Sequence, residues 1–239
     1  MENPTNWQAA AITPGERIII ALDLPTSDDA LALVQRLSPH RGLFKIGLQL
    51  YIAAGPAIVH AVRNLGGRIF LDLKLHDIPN TVARAVESAS SLGVEMLSLH
   101  LGGGRAMIEP AVTAAGPGLL LLGVTVLTSS DEGTLRETGV NSAMEDQVLR
   151  LAKLGVDAGI GGVVASPREI GPLRLAHGPN IKIVTPGIRP SGSAAGDQKR
   201  TLTPTEALRT GADFLVIGRP ITAAKDPRAA LDQIVADVV

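Results

Sequence analysis

Short apolar runs recur along the chain, separated by amphipathic stretches of helical period. The runs stand at residues 17–23, 43–47, 68–74, 96–100, 120–126, 162–166, 182–185 and 214–218. They are apolar without strict alternation, as strands buried on both faces are. The stretches between them carry helix punctuation. Ser142-Ala-Met-Glu145 and Thr203-Pro-Thr-Glu206 read as capping boxes, and Asp226-Pro227 opens a last helix in the same manner. A phrase of glycine, small apolar residue and acid recurs at Gly93-Val94-Glu95, Gly155-Val156-Asp157 and Gly211-Ala212-Asp213. At each, glycine is expected to supply a left-handed helix cap before the next strand. Successive strand–helix units joined by right-handed crossovers predict the α/β class and a closed (β/α)8 barrel, the TIM barrel. A doubly wound open sheet is the alternative. Against it, the first run ends in Ala21-Leu22-Asp23-Leu24 and not in a Gly-x-Gly-x-x-Gly turn. One domain is expected over residues 1–239. Residues 1–15 would pack on the barrel as an N-terminal extension, with Trp7 plugging its N-terminal end.

Composition narrows this picture. A chain of 239 residues suits one such barrel, and 45% hydrophobic residues against 19% charged leave ample apolar mass for its core. Aromatic residues make up only 2%, so that core must be built from Ile, Leu, Val and Ala. A net charge of −1 leaves no electrostatic footprint for nucleic acid or an anionic membrane. The absence of cysteine excludes disulfides and thiolate metal sites and fits a reducing compartment. The first residues lack the basic and apolar segments of a signal peptide, and runs such as 119–122 are too short to span a bilayer. The expectation is a soluble cytoplasmic protein with no nucleic-acid or membrane partner.

In a barrel of this kind the chemistry sits at the C-terminal strand ends. There the sequence puts Asp23 after the first strand, Lys45 in the second, and Asp72-Leu-Lys74-Leu-His-Asp77 at the end of the third. Asp72 and Lys74, two apart, should leave a strand on the same side. Opposite charges near a barrel mouth are tolerable only when paired. A structural ion pair would satisfy that rule, but Lys45 and Asp77 add two further charges, and four converging on one mouth look like a preorganised electrostatic site. Strands 7 and 8 run into Thr185-Pro-Gly-Ile-Arg189 and Ile217-Gly218-Arg219, the usual phosphate cradle of the fold. The loop 189–200, with Ser193 between Gly192 and Gly196, reads as a mobile lid. His76 and His100 lack metal-ligand spacing, so no metal is expected. Gly102-Gly103-Gly104 reads as a turn into a helix, and His40, His60 and His177 as solvated.

The decapeptide Asp72-Leu-Lys-Leu-His-Asp-Ile-Pro-Asn-Thr81 resembles the signature of the orotidine 5′-phosphate decarboxylase family. The resemblance extends from Ile20-Ala-Leu-Asp23 through Lys45 and Val124-Thr-Val-Leu-Thr128 to Gly187-Ile-Arg189 and Ile217-Gly-Arg219. It implies a cofactor-free conversion of orotidine 5′-monophosphate to uridine 5′-monophosphate. Asp23 and Lys45 would hydrogen-bond the ribose hydroxyls, Lys45 also joining the charged array, and Thr128 would contact the pyrimidine. Gln198 would bridge base and phosphate, Arg219 and the Gly218 backbone would bind the phosphate, and Arg189 would support that site. Asp77 and Thr81 would reach into the opposite subunit of a homodimer.

Loss of CO2 would leave a localised carbanion, and the chain shows no cofactor motif to delocalise it. Lys74 would deliver the proton, beside Asp72 and within the array Lys45, Asp72, Lys74 and Asp77. Related magnesium-dependent sugar-phosphate decarboxylases and hexulose-phosphate aldolases resemble this family too. They carry an acid on strand 2 where this chain has Lys45. A non-catalytic phosphate-binding barrel is the other rival, and it would need no Asp–Lys pair.

Overall fold

The computed structural model describes residues 12–190 and 202–238. Within them the apolar runs form β1 (Ile18–Ala21), β2 (Leu43–Gly47), β3 (Arg68–Leu75), β4 (Met96–His100), β5 (Leu120–Val124), β6 (Gly162–Val164), β7 (Lys182–Thr185) and β8 (Phe214–Ile217). All pair in parallel, each with its sequence neighbours, and β1 closes on β8. This is the expected TIM barrel. Four strands are shorter than expected. Arg17 belongs to a 3-10 helix before β1, and the chain leaves the ladder before Asp23, Val126, Ser166 and Gly218 to build the mouth.

Closure gives each strand residue one of two surroundings. Ile18, Ile20, Phe44, Ile46, Ile69, Leu71, Leu97, Leu99, Ile183 and Leu215 pack outward into the layer shared with the helices. Ile19, Ala21, Leu43, Phe70, Met96, Leu122, Val184, Phe214 and Val216 form a separate cluster that fills the lumen. Both sets are apolar, which is why the sequence shows no alternation. Ile12, two residues before the 3-10 turn Pro14–Arg17, packs against the lumen cluster. Trp7 lies outside the described residues.

The helix punctuation holds in part. Thr203 caps the helix Pro204–Thr210 through the expected capping box, and Asp226 accepts the N–H groups of Arg228 and Ala229. Ser142 does not cap. The helix Met144–Asp157 starts from Ala143, and the Ser142 hydroxyl turns to the Gln147 side chain at 3.4 Å. Gly93 and Gly211 adopt the left-handed conformation expected of them. Gly155 instead lies buried inside its helix, where a Cβ would stand 2.6 Å from Leu101, and Gly159 makes the turn. Gly102 and Gly103 lie in a 3-10 turn, Leu101–Gly103, and Gly104 stands at the N-cap of the helix Arg105–Ala114, so the glycines do turn the chain into a helix.

The acids of the recurring phrase have a shared role at two of its three sites. Glu95 donates its N–H to the Ile69 carbonyl at 2.9 Å and accepts the Ile69 N–H on its carboxylate at 2.7 Å. Asp213 does the same with Ile183, at 2.9 and 2.8 Å, and is held by Arg174 at 2.6 Å. Each acid thus closes both backbone groups of a residue at the start of the preceding strand. Asp157 pairs only with exposed side chains such as Lys153.

His40 is not solvated as expected. Its Nε2 donates to the Ile18 carbonyl at 3.1 Å, its ring meets Phe44 edge-on at 5.5 Å, and Gly42 passes too close to Ile18 for any side chain. Burial pushes its pKa from 6.5 down to about 4, despite the Ile18 hydrogen bond that favours the proton. Below pH 6.5 the unfolded chain therefore takes up a proton that the folded chain refuses. Stability is full above that pH and is lost as pH falls towards 4. Urea titrations should show this residue's share of the loss, about 2 kcal/mol between pH 7.5 and 5. His40→Gln should flatten the dependence by that amount; an unchanged slope would refute the assignment.

Candidate active site

The lumen positions of the strands, followed towards their C-terminal ends, turn from apolar to charged. Ala21 leads to Asp23, Leu43 to Lys45, and Phe70 to Asp72. These side chains and Lys74 line one wall of a cavity of about 440 Å³ at the barrel mouth. Val124, Val126, Val164 and Val216 make an apolar wall, and Thr128, Gly187, Arg189, Gly218, Arg219 and Thr222 complete the rim. Because β8 closes on β1, the two arginine loops stand next to the charged strands. One cavity therefore offers a charged wall, an apolar wall and a cationic edge.

The charges form a chain of alternating sign. Lys45 Nζ donates to Asp23 Oδ1 at 2.9 Å and lies 3.8 Å from Asp72 Oδ2. Lys74 Nζ donates to both Asp72 oxygens, at 2.9 and 2.8 Å. Asp23 is the solvent-facing end, with 62% of its side chain exposed, whereas Lys45 and Asp72 keep only 11% and 13%. Burial alone would raise the Asp72 pKa. The charges of Lys45 and Lys74 and the hydrogen bonds from Lys74 and Ser98 outweigh it and hold the carboxyl below its usual value. Gly47 leaves room for the lysine head, since a Cβ there would stand 3.1 Å from Lys45 Nζ. At the cationic edge, burial and then the nearby charge of Arg219 lower the Arg189 pKa.

Asp72 and Lys74 meet, but not by the regular strand geometry expected of them. The β3–β4 register shifts between Leu71 and Leu75, and Lys74 has φ 51°. Among the described residues it is the only non-glycine with a positive φ. The lysine is aimed by a backbone irregularity of the kind that clusters at functional sites.

Asp77 does not join the array of its own chain, contrary to the expectation of four charges converging there. It is exposed, and its carboxylate accepts the Ile78 N–H at 2.6 Å. Thr81 is likewise exposed in the first turn of the helix Pro79–Ser91, away from the cavity lining. Gln198 and most of the loop 189–200 lie outside the described residues. His76 and His100 stand with ring centroids 5.6 Å apart, and no group of three or more metal-ligating side chains occurs among the described residues.

Sequence reasoning missed Ser98. It is fully buried in β4, donates to Asp72 Oδ1 at 2.7 Å and accepts the Lys74 N–H at 2.9 Å. The available signal was one hydroxyl inside an apolar strand, two residues from the lumen-facing Met96.

The family model described as orotidine 5′-phosphate decarboxylase / HUMPS family matches residues 16–234. An orotidine 5′-phosphate decarboxylase of Moorella thermoacetica is 53% identical over 232 residues, which cover 93% of this chain and 92% of that protein. One of Opitutus terrae is 54% identical over 224 residues, covering 92% of this chain and 97% of its own. The crystal structure of the orotidine 5′-phosphate decarboxylase from Lactobacillus acidophilus matches with TM-score 0.83 at 37% identity, over 93% of this chain and 99% of that one. A match that begins just before β1 and ends in the last helix leaves no part of the barrel out, and the chain belongs to the orotidine 5′-phosphate decarboxylase / HUMPS family.

Proposed function

We propose that this chain decarboxylates orotidine 5′-monophosphate to uridine 5′-monophosphate, the last step of de novo UMP synthesis, with no metal or cofactor. The observation that carries the reading is the chain of charges from Asp23 through Lys45 and Asp72 to Lys74, set against an arginine-rimmed cavity. In this reading Arg219, the Gly218 backbone and Arg189 take the phosphate, and Gln198 adds a contact to it. Asp23 and Lys45 take the ribose hydroxyls, and Thr128 contacts the base. The substrate carboxylate then lies against Asp72, which its neighbours keep ionised. When the ring carbon–carboxylate bond breaks, CO2 departs and the electron pair stays on the ring carbon. Lys74 transfers a proton from Nζ to that carbon and regains one from solvent. The fixed ammonium also stabilises the developing charge before the transfer, without reorganisation at the moment of reaction.

Lys45 argues against the magnesium-dependent activities of the wider family. A buried ammonium 3.8 Å from Asp72 repels a divalent cation at the position where those enzymes carry an acid. The intact Asp–Lys pair argues against a barrel that merely binds phosphate. Exposed apolar residues favour a homodimer at this end of the barrel. Leu48 and Ile52 share one face of the helix Leu48–Ala54 with 49% and 79% exposed, and Ile78 is 67% exposed between Asp77 and Thr81. In such a dimer Asp77 and Thr81 complete the partner's site. No described helix is long and apolar enough to cross a membrane, which fits work in the cytoplasm.

The reading is tested by following the orotate-ring absorbance after mixing the chain with orotidine 5′-monophosphate in EDTA. Turnover should match that of a sample without chelator. Loss of turnover in EDTA, restored by magnesium, would favour the metal-dependent relatives instead.

A further inference from the structure

Ser98 takes no part in the chemistry just described, yet among the described residues no other hydroxyl touches the charged chain so closely. It has no exposed surface, and its strand neighbours are Leu97 and Leu99. A buried hydroxyl is tolerated when its hydrogen bonds are made, and here both the donor and an acceptor position are used. Oγ gives its proton to Asp72 Oδ1 and receives the N–H of Lys74. The second bond falls where β3 loses its register against β4 and Lys74 turns left-handed. At that point the Lys74 N–H bonds to a side chain of β4 in place of the regular ladder. One hydroxyl therefore ties the Asp72 carboxylate to the piece of backbone that aims the Lys74 ammonium.

We propose that Ser98 is a positioning residue for the decarboxylation, locking the Asp72 carboxylate and the left-handed Lys74 backbone into one unit so that acid and ammonium meet the substrate in a fixed relation. The inference rests on the decarboxylase reading and adds a residue to it. It also predicts a pH effect. The groups facing Asp72 are Lys45 from β2, with Asp23 behind it, Lys74 from β3, and Ser98 and more distantly His100 from β4, His100 being itself against His76. Of these, Ser98 contributes a hydrogen bond that favours the ionised carboxylate. Without it the acid limb of the kcat profile should move to higher pH.

The test compares Ser98→Ala and Ser98→Thr with the unaltered chain for kcat, for inhibition by UMP and for the pH profile. Ser98→Ala should lower kcat roughly 10- to 100-fold, the scale of one hydrogen bond to a charged group. UMP inhibition should stay within about twofold, because the hydroxyl holds the reacting groups and not the phosphate. Ser98→Thr, which keeps the hydroxyl, should recover most of kcat and return the acid limb. If circular dichroism shows Ser98→Ala unfolded, Ser98→Cys replaces it, filling the space with a weak donor. Wild-type kcat in the alanine or cysteine variant would overturn the proposal. So would a fall in kcat matched by an equal loss of UMP affinity and not reversed by threonine, which marks a merely structural residue. Failure of the underlying reading looks different, since the unaltered chain would then be inactive on orotidine 5′-monophosphate.

Discussion

Lys74→Ala is expected to lower kcat by about 10²- to 10⁴-fold while leaving UMP affinity nearly unchanged, the range spanned by removal of a positioned general acid. In the proposed mechanism the lysine acts on the carbanion at the ring, whereas the nucleotide would be gripped by its phosphate and ribose at residues that the substitution does not touch. The left-handed backbone at residue 74 is no harder for alanine than for lysine, so the variant tests the ammonium and not the fold. Asp72 would keep Lys45 at 3.8 Å and the Ser98 hydrogen bond as partners. Single-turnover decarboxylation, with UMP binding by calorimetry, separates the two parameters. A variant retaining more than a few per cent of kcat, roughly the threshold for losing a general acid, would remove Lys74 from the proton-transfer role.

Mixing two inactive variants should restore activity. Lys74→Ala and Asp77→Ala homodimers are each expected to be inactive or strongly impaired. When they are unfolded together in equal amounts and refolded, about half of the dimers should be mixed, as an isologous pair requires. One site of a mixed dimer then carries both substitutions. The other takes its lysine from one chain and its aspartate from the other, and is whole. About a quarter of all sites should therefore be fully active, well above the average of the parents. Because Asp77 also accepts the Ile78 N–H of its own chain, Asp77→Asn serves as a control that keeps an acceptor there. Activity that stays at the parental average, with mixed dimers seen by native mass spectrometry, would assign Asp77 to its own chain.

The barrel and most of its mouth could be read from the sequence because burial writes long apolar runs, and charges interrupt those runs where the strands end. Asp23, Lys45, Asp72 and Lys74 were legible for that reason. Ser98 was not. A strand apolar on both faces carries no mark of which side faces the lumen, so the hydroxyl could not be told from an ordinary core serine until neighbouring strands fixed its orientation. The left-handed turn at Lys74 was equally hidden, since nothing in Asp72-Leu-Lys74 announces that the ladder slips there. Gly155 shows a further limit. Its phrase matches those at Gly93 and Gly211, but its glycine answers the close approach of Leu101 and not a helix end. Asp77 is a different case: its exposed carboxylate turns to its own backbone, and its expected place is in another copy of the chain, which no single chain can display.

The reciprocal clasps that Glu95 and Asp213 make with Ile69 and Ile183 sit at the strand starts, the end of the barrel opposite the cavity. A protein engineer therefore has two separate workbenches on one scaffold. Heat tolerance can be tuned on the floor, by strengthening the loose approach of Arg68 to Glu95 at 3.9 Å towards the tighter grip of Arg174 on Asp213. The pyrimidine chemistry at the opposite rim would be left as it stands.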